Sequence, residues 1–132
     1  MIVLDASAAL ELLLVTDLGR ALADRLLEPR ESLHAPELVD LEVAQVLRRF
    51  ERAKTLSAAR AEQALDDLAA LPLERYSHRL LLRRAWELRP NLTLYDAAYV
   101  ALAELLDAPL LTCDAALARA PYAARVELLG RG

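Results

Sequence analysis

A single cysteine, Cys113, leaves no partner for an internal disulfide, which suits a reducing compartment. One cysteine and two histidines are also too few to build a structural zinc site. No run approaches about 18 uncharged apolar residues, so the sequence predicts no membrane span. The start, Met1-Ile2-Val3-Leu4-Asp5, has no basic region, and Asp5 cuts its apolar run short, so no signal peptide is expected. Glycine is scarce, at three residues, while 56% of the chain is hydrophobic, which argues against a disordered tail and for a packed core. At 132 residues the expectation is one domain over 1–132, long enough to bury roughly two thirds of its unfolded surface.

A net charge of −4 argues at first against a nucleic-acid partner. The distribution is uneven, however. Residues 1–47 hold three arginines against nine acids, whereas residues 48–89 hold ten basic groups against six acids. An acidic first third beside a basic middle is either a solvated helical surface or the footprint of an anionic partner.

The stretch Ile2-Val3-Leu4-Asp5 organises the rest. A short apolar run without alternation reads as a strand covered on both faces, and such strands lie inside parallel sheets. Open α/β sheets carry their chemistry at the carboxyl ends of their strands, which puts Asp5 at the rim of a crevice. Further strands are expected at 32–35, 73–76, 109–112 and 125–128. Helices are expected at 6–15, 18–28, 37–54, 57–71, 78–89, 93–107 and 114–120, with Pro29, Pro36, Pro72 and Pro90 as breakers. Strands alternating with helices, with no Asn-Gly hairpin signal, predict a parallel sheet wrapped by helices.

Four acids stand out. Asp5 and Asp114 each follow an apolar strand and precede a helix, so each reads equally as a helix N-cap or as a site residue. On a helical wheel Glu42 falls within about 40° of Leu38, Val46 and Ala53, in the apolar arc, while Asp40 falls on the solvated side. A carboxylate there needs a salt bridge or a metal, and Arg49 is the only charged candidate on the same face. Asp96 completes a capping box with Thr93 but opens a helix that is apolar all round as far as Glu104, so it points inward or into a cleft. Two carboxylates ~4 Å apart at an effective dielectric near 20 repel by about 4 kcal/mol. Three or four together need a divalent cation, and all-oxygen ligands point to a hard ion such as Mg²⁺ or Mn²⁺.

The segments Ile2-Val3-Leu4-Asp5-Ala6-Ser7, Pro36-Glu37-Leu38 leading to Glu42, Leu94-Tyr95-Asp96-Ala97-Ala98-Tyr99-Val100-Ala101-Leu102-Ala103-Glu104 and Leu110-Leu111-Thr112-Cys113-Asp114 resemble the four motifs of PIN domains, in order and across essentially the whole chain. More narrowly, they resemble VapC-type toxins. The resemblance implies a PIN-like three-layer α/β sandwich around a parallel five-stranded sheet of order 3-2-1-4-5. It also implies a Mg²⁺- or Mn²⁺-dependent cytoplasmic ribonuclease acting on structured RNA, and a homodimer inhibited by a VapB-type antitoxin. Asp5, Glu42, Asp96 and Asp114 match the acidic quartet, and Ser7 and Thr112 the small hydroxyl positions beside it. Cys113 is expected as a small buried filler rather than a nucleophile, since no histidine is near it in sequence.

On this reading the ion lowers the pKa of a bound water and neutralises phosphate charge. Basic groups near Arg49, with Arg48, Arg52 and Lys54, or on the helix carrying Arg79, Arg83 and Arg84, are candidates to hold flanking phosphates. Two rivals stand beside it. An aspartyl phosphatase usually wants a second carboxylate two residues after the first, where this chain has Ser7. A catalytically silent PIN module that only binds protein or RNA would not need all four acids.

Overall fold

The computed structural model describes residues 1–27, 31–119 and 122–130. Five strands, β1 (Ile2–Leu4), β2 (Leu33–Pro36), β3 (Leu73–Tyr76), β4 (Leu110–Thr112) and β5 (Val126–Leu128), pair parallel in the order β3-β2-β1-β4-β5. Among the described residues seven α-helices flank them in the three-layer arrangement: α1 (Ala6–Leu13), α2 (Asp17–Leu27), α3 (Val39–Arg52), α4 (Ala58–Ala70), α5 (Leu82–Glu87), α6 (Leu94–Leu106) and α7 (Ala115–Arg119). The expected sheet order and helical layers are both found. Among the described residues no helix is long and apolar enough to cross a membrane.

Strand β1 lies at the centre because every residue of it is apolar and buried, as a strand with helices on both faces requires. Helix α6 packs on β1, β2 and β4, and its run Ala97–Ala103 is entirely buried, as an all-round apolar helix predicts. The register pairs Leu4 with Leu111, and the Asp5 N–H donates to the Leu111 carbonyl at 3.2 Å. The chain leaves β1 for β2 on one side and reaches β4 on the other. The crevice at this switch point therefore opens beside Asp5 and the residues after Thr112.

Several expected boundaries shift for local reasons. Helix α1 stops at Leu13 rather than Val15, whose φ of 55° is left-handed and cannot continue a helix. Helix α2 starts at Asp17, capped by the Thr16 hydroxyl accepting from Gly19 N–H at 3.0 Å; the expected end at Glu28 and Pro29 lies outside the described residues, as does Ala120, the expected end of α7. Pro36 was expected to close β2 but belongs to it, as the strand's last residue. Helix α3 begins at Val39, not Glu37. The helix expected over 78–89 is instead a 3-10 turn, His78–Leu80, followed by the short α5.

One glycine has no substitute. Helices α1 and α2 cross so closely at Gly19 that a Cβ there would stand 1.9 Å from the Glu11 carbonyl oxygen. That neighbour is backbone and cannot swing aside. Gly19→Ala is expected to lower unfolding free energy by about 3 kcal/mol, the upper range for overpacking. Urea denaturation checks this, and an unchanged midpoint would contradict the close crossing.

Candidate active site at the carboxyl end of the sheet

Asp5 follows β1 and caps α1, so the N-cap reading holds. Its Oδ1 accepts from the Ser7 hydroxyl at 2.6 Å and from Ala8 N–H at 3.0 Å, and its Oδ2 accepts from the Thr112 hydroxyl. The hydroxyl oxygens work in the other direction too. Ser7 Oγ accepts from Cys113 N–H at 2.9 Å, and Thr112 Oγ1 accepts from Asp114 N–H at 2.9 Å. Two short side chains therefore orient one carboxylate and tie the end of β1 to the turn between β4 and α7. Asp114 in turn accepts from Ala116 N–H at 2.9 Å and is exposed.

Glu42 projects from the first turn of α3 and is half-buried. The expected partner, Arg49, does not bridge to it. Instead the Tyr99 hydroxyl donates to Glu42 Oε1 at 2.6 Å. Tyr99 is 1% exposed and lies three residues after Asp96, so α6 presents both side chains on one face in successive turns. At Asp96 half of the capping box forms, with the Asp96 N–H donating to Thr93 Oγ1 at 3.1 Å. Among the described residues the carboxylate makes no return bond to the Thr93 backbone. Asp40, expected in solvent, is half-buried and bridges to Arg75 at 2.8 Å.

The electrostatics show that the acids share one region. Burial pushes the Asp5 carboxyl up, against the hydrogen bonds from Ser7, Thr112 and Ala8, and the Asp114 charge adds to the push. Glu42 is raised by burial first, eased by the Tyr99 bond, and raised further by the charges of Asp96 and Asp5. Asp96 is raised by burial and then by Asp114 and Asp5. Burial and the bond to Glu42 hold the Tyr99 phenol far above its ordinary range, so it remains a donor. Among the described residues no arginine, lysine or histidine forms a salt bridge with any of the four acids. They feel one another's charge without touching: among the described residues no three His, Cys, Asp or Glu side chains stand close enough to hold an ion together.

Around this centre, Glu42, Gln45, Arg49, His78 and Tyr95 line an open groove of about 710 Å³. A smaller apolar pocket of about 180 Å³ shares Leu38, His78 and Tyr95 with it but holds none of the acids. Arg83 is exposed and lines a separate groove with Arg79, Leu82 and Trp86. Arg84, expected to be available for phosphate, is engaged: its Nε and Nη2 fork onto Glu104 at 2.8 and 3.1 Å, and its Nη1 reaches Glu87 at 3.2 Å. Cys113 is half-buried rather than buried, and burial pushes its thiol up, away from nucleophilic character. Tyr99 is the residue that motif reading missed. The signal was present, as a hydroxyl in the aliphatic run after Asp96, three residues along from it.

Residues 2–122 match the family model described as PIN domain. VapC ribonuclease Mb0985 of Mycobacterium bovis is 48% identical over 86% of each chain. Ribonuclease VapC12 of Mycobacterium tuberculosis is 42% identical over 98% of this chain and 99% of its own length. The crystal structure of VapBC2 from Rickettsia felis, bound to a DNA fragment from their promoter, superposes with a TM-score of 0.68 at 15% identity, covering 98% of this chain and 100% of that one. The chain belongs to the PIN-domain family, in its VapC ribonuclease branch.

Because Glu42 is raised above its ordinary value of 4.5, the folded state binds its proton more tightly than the unfolded chain does. Ionising it therefore lowers stability as pH rises through that raised value. In metal-free protein, Glu42→Gln is expected to be at least as stable as wild type at pH 8. The gap should shrink as pH falls towards 4.5. Paired thermal melts across this range check the sign; a variant much less stable at pH 8 would contradict it.

Proposed function

We propose that this protein is a Mg²⁺- or Mn²⁺-dependent endoribonuclease, the toxin of a toxin–antitoxin pair, acting on structured RNA of the tRNA or rRNA class. It works as a single PIN domain over residues 1–132 in the cytoplasm, as a homodimer, and a VapB-type antitoxin restrains it. One observation carries the reading. Acids from four separate segments share one electrostatic region at the carboxyl end of the sheet, and three of them are raised, with no basic partner among the described residues. The ribonuclease names of the relatives and the VapBC title of the structural neighbour agree with it.

The donor set suits a hard cation, being all carboxylate oxygen with hydroxyl support. Asp5, Glu42, Asp96 and Asp114 would hold the ion by drawing closer together than they stand without it. When bound, the ion neutralises phosphate charge and acidifies water. The chain's own contribution is orientation. Ser7 and Thr112 fix both oxygens of Asp5, and Tyr99 holds one oxygen of Glu42 and leaves the other free. The Ser7, Thr112 and Tyr99 hydroxyls are committed to orienting Asp5 and Glu42, which favours direct attack by water on the phosphodiester. Arg49 and Arg83 are the cations assigned to flanking phosphates; Arg84 is withdrawn from that role by its glutamate partners.

With Mn²⁺ the protein is expected to cut bulk tRNA, and EDTA should stop it. Asp5→Asn should lower the rate at least about a hundredfold, beyond the 10–100-fold typical of supporting residues. RNA that is bound but never cut, with any divalent ion, would favour the silent module instead.

The log–log slope of RNA affinity against salt should weaken by roughly one for Arg49→Ala and for Arg83→Ala, and stay unchanged for Arg84→Ala. Filter binding across a salt series measures this. Three equal slopes would remove both arginines from the interface.

A further inference from the structure

Trp86, the chain's one tryptophan, stands 53% exposed on α5, although Leu81 and Ala85 beside it in sequence are buried. Leu82, four residues earlier on the same helix face, is 61% exposed. The inner side of this segment joins the core, and its outer side still carries a large aromatic and a leucine.

The charges around them narrow what could cover that side. Arg79 and Arg83 line one groove of about 450 Å³ with Leu82 and Trp86. Arg89 sets its guanidinium carbon 4.2 Å from the centre of the indole ring and donates through Nη1 to the Trp86 carbonyl at 2.9 Å. Among the described residues none of these three arginines forms a salt bridge, and Glu87, next in sequence to Trp86, is bonded to Arg84. An exposed indole among cations without acids fits a partner that is both anionic and flat. A nucleotide is both, since its base stacks on an aromatic ring and its phosphate pairs with arginine. A second copy of this chain fits badly. A two-fold contact lays a patch on itself and would set these arginines against one another.

The groove is also joined to the acids. Leu82 lines both it and the small apolar pocket, and Leu38, His78 and Tyr95 line both that pocket and the Glu42 groove. An RNA chain cut at the acids therefore has a continuous surface to follow towards Trp86. Bases in a duplex are stacked on each other, so only an unpaired nucleotide is available to the ring.

Resting on the ribonuclease reading above, we propose that this groove is a subsite for an unpaired nucleotide of the substrate, its base stacked on Trp86 and its phosphate held by Arg79 and Arg83. Loops and ends of a structured RNA supply such nucleotides. Trp86 belongs to none of the four motifs read in the sequence.

As the one tryptophan, Trp86 reports its own contacts. Single-stranded oligouridylate is titrated into the intact protein in EDTA, so that binding is read without cleavage. Saturable quenching of the tryptophan emission is expected, with a much weaker response to blunt duplex RNA. In filter binding Trp86→Leu should lose about tenfold in affinity for oligouridylate, within the range for one stacked base. Its melting temperature should stay close to wild type, because the side chain is exposed. Oligouridylate that binds without changing the emission would overturn the inference, as would equal quenching by the duplex. So would emission that moves with protein concentration before RNA is added, together with loss of a dimer from Trp86→Leu in sedimentation, which would give this face to a second copy. Wild type that cuts tRNA with Mn²⁺ yet shows no quenching would remove the subsite alone. Quenching beside RNA that is never cut would support the subsite and remove the nuclease reading.

Discussion

Repulsion among like charges at the end of a parallel sheet is the constraint to which the rest of the site answers. Asp5, Glu42 and Asp96 are each raised by burial and then by the charge of other acids in the group. A fold selected for stability alone would have paired them, as it pairs Asp40 with Arg75 and Glu104 with Arg84. Elsewhere this chain spends its arginines freely on glutamates and aspartates. Around these four acids, among the described residues, it supplies only hydroxyl and backbone N–H donors.

Hydroxyls are the donors that suit such a place. An arginine beside Asp5 would cancel the charge that a cation needs, whereas Ser7 and Thr112 orient the carboxylate and leave its charge in place. Each hydroxyl also accepts a backbone N–H from the turn carrying Asp114, so the two aspartates are positioned by the same pair of side chains. Tyr99 does for Glu42 what Ser7 and Thr112 do for Asp5. It acts from the buried face of α6, one turn from Asp96, and so couples α3 to α6 through a single hydrogen bond. The scaffold beneath is well buried: every residue of β1 and of the α6 run Ala97–Ala103 lies in the interior.

Much of this was legible in the sequence. An apolar run ending in an acid told of a central strand with Asp5 at its carboxyl end, and the all-round apolar pattern after Asp96 told of a buried helix. Both readings depend on patterns within one segment. What was not legible depends on contacts between segments. The wheel placed Glu42 correctly near apolar neighbours but offered only Arg49 as a partner, because a wheel sees one helix and Tyr99 lies 57 residues away. Arg84 looked free for the same reason; its glutamate at position 104 comes from a different helix. The helix expected over 78–89 broke into a 3-10 turn and a short helix, and apolar periodicity alone did not mark the join at Leu81.

The account stands on the claim that these four carboxylates are a cation site and not four unrelated helix ends. Anomalous scattering from a crystal grown with Mn²⁺ tests it most directly. The predicted result is a peak about 2.1 Å from oxygens of at least two of Asp5, Glu42, Asp96 and Asp114, the spacing expected of a hard octahedral ion. Saturating Mn²⁺ with no peak among these side chains, or with peaks only elsewhere on the surface, would contradict it.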